Sequence, residues 1–208
     1  MKKILIATTN PAKLDEIKKF LADLGVEFVS LKDVRITQEV VEDGTTYEEN
    51  SQKKAIEYAK MSSLPTVSDD GGLEIAALDG APGIQSHYWV DSLGNYDDIF
   101  EKMKAVAKEL PTNNRKALFR AVVSFALPNG NVWSATDTVE GFIKENDHLT
   151  PKMKGYPYRS FFYIPQLKKY YLESELTDDE TKDYNHRYKA LMKLRVTIMK
   201  ELQLSSRA

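Results

Sequence analysis

Apolar and polar positions alternate along this chain in two periods, and they set out a run of strands and helices. Ile4-Leu5-Ile6-Ala7 is a short continuous apolar run, the pattern of a buried strand. The polar turn Thr8-Thr9-Asn10-Pro11 follows, with Asn10 suited to an N-cap and Pro11 to the first helical position. Leu14, Ile17, Leu21 and Leu24 then recur at helical spacing, and Gly25 ends the helix. Val26–Leu31 reads as a second strand, and the polar stretch Arg35–Gly44 as a loop. Thr46-x-x-Glu49 is a capping box opening a helix from Tyr47 to about Met61, with Asn50, Lys54 and Glu57 on one polar face. A further amphipathic helix spans Tyr96–Leu110 and stops at Pro111. Ala117–Leu127 is the clearest strand, and Asn129-Gly130 turns it into a return over Val132–Val139. This hairpin reads as a local antiparallel ribbon, separate from the parallel strand–helix units. Lys144–Lys154 is polar and expected to be exposed, and Phe161–Pro165 reads as a strand ended by proline. Thr177-x-x-Glu180 is another capping box, and the last helix opens at His186-Arg187 with Leu191, Leu194, Ile198 and Leu202 on its core side.

The centre of the chain interrupts this regularity. In Val67-Ser68-Asp69-Asp70-Gly71-Gly72-Leu73-Glu74, an apolar approach meets two adjacent carboxylates and then two glycines. On an extended segment adjacent side chains face opposite ways, so one aspartate can serve structure while the other faces a ligand. Glycines let backbone come close to whatever binds, and hard oxygen ligands suit Mg²⁺ carrying a phosphate chain. The competing reading is a surface Asp-Gly turn. The first strand–turn–helix presents open backbone N–H groups and a positive dipole end, both favourable to phosphate. Lys13 lies in that first turn, where a cation opposes the dipole unless an anion is near; otherwise it is an ordinary exposed lysine.

Composition narrows the options. The 208 residues are 42% hydrophobic and 29% charged, ordinary for a globular protein, with net charge −2. That balance argues against a nucleic-acid binder with a broad basic face but leaves room for a mononucleotide site. Cysteine is absent, so disulfides, thiolate catalysis and cysteine-bound zinc are excluded. The apolar run after Met1-Lys2-Lys3 is too short for a signal-peptide core, and nothing approaches a membrane span. A cytoplasmic protein without membrane association is the expectation.

Taken in order, several segments resemble the inosine triphosphate pyrophosphatase family (XTP/dITP diphosphatases): Thr8-Thr9-Asn10-Pro11-Ala12-Lys13, Tyr47-Glu48-Glu49-Asn50 with Lys54-Ala55, Ser68-Asp69-Asp70-Gly71-Gly72-Leu73, Gly80-Ala81-Pro82-Gly83, Glu140-Gly141, Phe161–Pro165 and His186-Arg187. The resemblance implies an α/β fold: one domain over residues 1–208 with an elongated, twisted mixed sheet flanked by helices, two lobes and a nucleotide in the cleft between them. It also implies a homodimer, and Mg²⁺-dependent hydrolysis of ITP, dITP and XTP to the monophosphate and pyrophosphate. By the same resemblance, Thr8, Thr9, Asn10 and Lys13 cradle the triphosphate, and Lys54 is a second phosphate-contacting cation. Asp70 is metal ligand and general base, and Glu42 a second metal-side carboxylate. Gly71 stands where most members have a hydroxyl residue, which leaves backbone contact. His186 and Arg187 read the purine's six-position oxygen. Arg187 can only donate hydrogen bonds, whereas adenine's amino group also donates; burying donor against donor costs about 1–3 kcal/mol per group.

The base end departs from the family pattern. Its usual Phe-Gly-Tyr/Trp-Asp-Pro turn is Tyr156-Pro157-Tyr158-Arg159-Ser160 here. Tyr156 and Tyr158 can still sandwich a base, but Arg159 reverses a charge beside it. The usual lysine five positions before the histidine is Thr181, with Lys182 adjacent, and a cation after Ala-Pro-Gly is lost or moved to His87. Two other readings follow: the same chemistry with a shifted base preference, or a nucleotide-binding protein without turnover.

Overall fold

The computed structural model describes residues 1–86, 89, 96–145 and 156–204, with backbone alone for 96–98. His87, Tyr88, Gly155 and most of Lys144–Lys154 lie outside the described residues. Seven strands form one sheet in the order β2-β1-β3-β4-β5-β6-β7. They are β1 (Lys3–Ala7), β2 (Glu27–Ser30), β3 (Thr66–Ile75), β4 (Lys116–Ala126), β5 (Val132–Ile143), β6 (Phe162–Ile164) and β7 (Lys169–Tyr170). The described helices are α1 (Pro11–Phe20), α2 (Tyr47–Ser62), α3 (Tyr96–Glu109), α4 (Asp178–Tyr184) and α5 (His186–Glu201). β1 runs parallel to both β2 and β3, whereas β6 is antiparallel to β5 and β7, so the sheet is mixed.

The chain divides into two compact units, one built from Met1–Asp70, Ala121–Asp137 and Arg187 onward, the other from Gly71–Arg120 and Thr138–His186. The long strands β3, β4 and β5 each pass from one unit into the other.

In the first unit, β1 is buried on both faces, as parallel strands are. Ile4 and Ile6 pack with Ile17 of α1, Leu21 just beyond it, Val67, Phe125 and Leu191, Leu194 and Ile198 of α5. Leu5 and Ala7 face the other way, onto Val29, Leu31 and Tyr58 of α2. Trp133 stacks on Phe125 here, with ring centroids 5.9 Å apart. In the second unit, Leu73 and Ile75 join Phe119, Ile143, Phe162 and Ile164 beneath Ile99, Phe100 and Met103 of α3. Trp89 packs against this core, and the Lys102 ammonium sits 4.1 Å from its ring centroid.

Two sequence readings are corrected. The Asn129-Gly130 hairpin forms, with the Gly130 N–H donating to the Leu127 carbonyl (2.9 Å). However, its strands are not a separate ribbon: β4 lies beside β3 and β5 beside β6 in the one sheet. Phe125, Val123 and Ala121 are wholly buried, and a two-stranded ribbon alone could not cover them. The surface-turn reading of Asp69–Gly72 also fails, because all four residues lie inside β3. The true Asp-Gly turn is Asp79-Gly80, both at positive φ.

Candidate active site

The first unit gathers most of the polar residues singled out in the sequence. After β1 the chain turns through Thr8, whose Oγ1 accepts from the Asn10 N–H (3.1 Å). The Asn10 side chain then accepts from the N–H groups of Ala12 (2.9 Å) and Lys13 (3.3 Å), capping α1. No acidic residue occupies the first turn of α1, so the helix's own sequence does not offset the positive end of its dipole. Thr9 is exposed beside this turn.

Lys13 reaches from α1 to β3, with Nζ 3.2 Å from Asp69 Oδ2. The helix start and the acidic strand segment therefore share one charge cluster. Arg187, at the beginning of α5, donates to the same oxygen from Nε (3.0 Å), and its Nη2 lies 2.9 Å from it. Its Nη1 pairs with Glu16, one turn beyond Lys13 on α1. Asp69 is 1% exposed and Arg187 4% exposed. Burial alone would raise the Asp69 pKa; Lys13, Arg187 and Lys54 reverse that and hold the carboxyl well below the usual range. Its other oxygen, Oδ1, is buried and accepts no hydrogen bond among the described residues.

Lys54 comes from α2, whose start is fixed by the capping box expected at Thr46 and Glu49. Gly44 abuts this helix: its N–H donates to Asn50 Oδ1 (2.8 Å), and a Cβ there would lie 2.7 Å from that oxygen. At the next residue, the Ser68 hydroxyl donates to the Ser51 carbonyl (2.6 Å), tying α2 to β3 beside the aspartates. Lys54 Nζ donates to Glu42 Oε2 at 2.8 Å. The Glu42 loop is itself held, as Val40 N–H donates to the Tyr58 hydroxyl (3.3 Å). Burial pulls the Lys54 pKa down, but the charges of Asp70, Glu42 and Asp69 outweigh it and leave the pKa above its ordinary value. Asp70 and Glu42 thus both act on one ammonium. Among the described residues, no three His, Cys, Asp or Glu side chains form a metal cage. Two carboxylates nevertheless fit Mg²⁺, which takes one or two protein carboxylates and fills its shell with water and phosphate.

The residues assigned to the base lie mainly in the second unit. Tyr156 precedes a short turn, Pro157–Phe161, in which every residue is buried. The Tyr158 hydroxyl donates to the Ser86 carbonyl (2.8 Å), and burial pushes its phenol pKa up. The Arg159 guanidinium lies 3.8 Å from the Tyr156 ring centroid and 4.6 Å from that of Tyr171. His186 stacks on Phe119 (5.4 Å, 20°), and its Nδ1 is 2.8 Å from the Tyr171 hydroxyl. Lys182 is exposed and pairs with Asp179 at 2.8 Å. Gly71 is the half-buried residue of β3 that follows Asp70.

The structure therefore joins Asn10, Lys13, Asp69 and Arg187, and joins Lys54 with Glu42 and Asp70. Sequence reasoning missed Glu16, whose signal was its place three residues after Lys13 on one helix face. It also missed Tyr171 and Phe119, which no local pattern connects with His186.

Comparison with known proteins gives a consistent result. The Ham1 family model matches residues 4–197. The chain is 36% identical over 201 residues to the dITP/XTP pyrophosphatase of Clostridium perfringens, covering 94% of this chain and 96% of that protein. It is 34% identical to the dITP/XTP pyrophosphatase of Bacillus subtilis, covering 93% and 96%. Among solved structures, a HAM1 protein from Coxiella burnetii aligns with TM-score 0.79 at 28% identity, covering 96% of this chain and all of that one. The Staphylococcus aureus Ham1 protein aligns with TM-score 0.77, also at 28% identity and with the same coverage.

Proposed function

The chain belongs to the Ham1 family, and from that premise we propose that it is a nucleoside triphosphate pyrophosphatase. It hydrolyses deaminated purine nucleotides (ITP, dITP and XTP) to the monophosphate and pyrophosphate, and so clears them from the nucleotide pool. Mg²⁺ is its proposed cofactor, and a homodimer in the cytoplasm its proposed form. The observation that carries the reading is the Lys13–Asp69 contact of 3.2 Å, which brings the capped start of α1 to the aspartate pair of β3.

The chemistry follows from the residues. A triphosphate brings about four negative charges, and the α1 start with Lys13 and Lys54 offers cations and N–H donors to offset them. Asp70 takes the proton from a water attacking the α-phosphorus, and the α–β anhydride oxygen leaves on pyrophosphate. Asp69 stays charged and holds Lys13 and Arg187 in place. Mg²⁺ bound by Asp70 and Glu42 would neutralise charge on the polyphosphate. His186 and Arg187 are the proposed donors to the six-position oxygen, and Tyr156, Pro157, Tyr158 and Arg159 the proposed surroundings of the base. Thr8 and Thr9 complete the proposed phosphate turn, Gly71 offers backbone, and Lys182 is an outer cation.

The test is pyrophosphate release from ITP, dITP and XTP against ATP and GTP, with and without Mg²⁺. Release from the deaminated nucleotides is expected to depend on the metal, and Asp70→Asn to lower kcat by at least about a hundredfold, the usual range for a general base. Full activity in Asp70→Asn would overturn the role of Asp70, and no release from any nucleotide would overturn the function.

A further inference from the structure

Arg159 is the residue at which this chain departs most sharply from the pattern it resembles, and its surroundings give it a task. Arg159 is 4% exposed, and its guanidinium lies against the faces of Tyr156 and Tyr171. Tyr171 is fully buried, and its hydroxyl meets His186 Nδ1 at 2.8 Å. His186 is 3% exposed and stacked on Phe119, so its ring plane is fixed.

One proton lies between the Tyr171 oxygen and His186 Nδ1, and either atom can own it. A neutral imidazole carries one N–H and one lone pair, and a phenol can donate or accept. A permanent cation over the tyrosine ring draws electron density from it, which makes the hydroxyl a stronger donor and a poorer acceptor. Burial disfavours the charged form of an imidazole, and the neutral ring holds a single proton. With Tyr171 donating to Nδ1, the imidazole proton must sit on Nε2.

We propose that Arg159 and Tyr171 are positioning residues that lock His186 in the Nε2–H tautomer, and so set the preference for a purine with oxygen at its six position. This rests on the reading above that His186 meets that oxygen. Nε2–H donates to a keto oxygen and faces donor against donor with an amino group. The opposite tautomer would present a lone pair there and welcome adenine. The charge-reversed Arg159 therefore acts on base choice through Tyr171.

The tautomer can be read in the wild-type protein by ¹⁵N NMR with labelled histidine. The chain has three histidines, and His87→Gln and His148→Gln identify the signals of His186 by elimination. The expected spectrum shows a lone-pair nitrogen at Nδ1 and an N–H at Nε2; a proton on Nδ1 overturns the proposal. Tyr171→Phe is expected to mix the tautomers and to lower the ratio of kcat/KM for ITP over ATP about tenfold. Arg159→Met, which keeps length and packing but removes charge, should move both readouts the same way by less. A purely structural role would slow both nucleotides alike, so an unchanged ratio in a Tyr171→Phe enzyme that still turns over ITP also overturns it. Absence of turnover in the wild type would instead sink the proposed function, while the spectrum still decides the tautomer.

Discussion

Asp69 shows how far a single side chain can depend on its neighbours. One buried oxygen receives Lys13 and Arg187, and Lys54 adds a third positive charge. Removing the carboxylate charge takes from Lys13 and Arg187 the buried anion they share, so Asp69→Asn is expected to cost about 3–5 kcal/mol of stability. Urea unfolding at neutral pH measures this. The pH dependence has a definite sign. The folded pKa of Asp69 is lowered, so its contribution is complete above the unfolded carboxyl value of about 3.9 and is lost as pH falls below it. The folded pKa of Lys54 is raised, so its contribution is complete below about 10.4 and fades above it. Wild-type urea midpoints should therefore drop on the acid side below about pH 4, and Asp69→Asn should flatten that acid limb.

At the scale of elements, the strongest sequence signals were those with local physics. Asn10 with Pro11, Thr46 with Glu49 and Thr177 with Glu180 each start a helix where expected, because a cap is satisfied within a single turn. Strand β3 was harder to read. Two aspartates and two glycines have poor strand propensity, and the strand runs through them between a start paired with β1 up to Ser68 and a neighbour, β4, distant in sequence. The hairpin β4–β5 announced itself through Asn129-Gly130, but its place between β3 and β6 depends on partners distant in sequence. Likewise Lys13, Lys54 and Asp70 were legible as motif residues, whereas Glu16 and Tyr171 acquire their roles only when helix or strand brings them to Arg187 or His186. In the motif piece Glu140-Gly141, the glycine is a packing requirement. A Cβ on Gly141 would sit 2.5 Å from the Tyr163 carbonyl and 2.6 Å from the Phe162 ring. Gly141→Ala is expected to destabilise the protein by about 1–3 kcal/mol, the usual range for overpacking, in urea titration.

For the molecule as a whole, the chain is threaded so that neither unit is a continuous stretch of sequence: β3, β4 and β5 carry it across. Backbone that belongs to both units gives unfolding no clean place to stop. The two tryptophans turn this into an optical measurement, since Trp133 stacks on Phe125 in one unit and Trp89 lies under Lys102 in the other. Trp89→Phe and Trp133→Phe each leave one native fluorophore as a private reporter. The expected result is a shared denaturant midpoint for the two emission curves after correction for each substitution's own cost, the mark of a single cooperative transition. Separated midpoints would mean that half of the fluorescence signal vanishes while the other half is still native, and that the shared strands break in the middle.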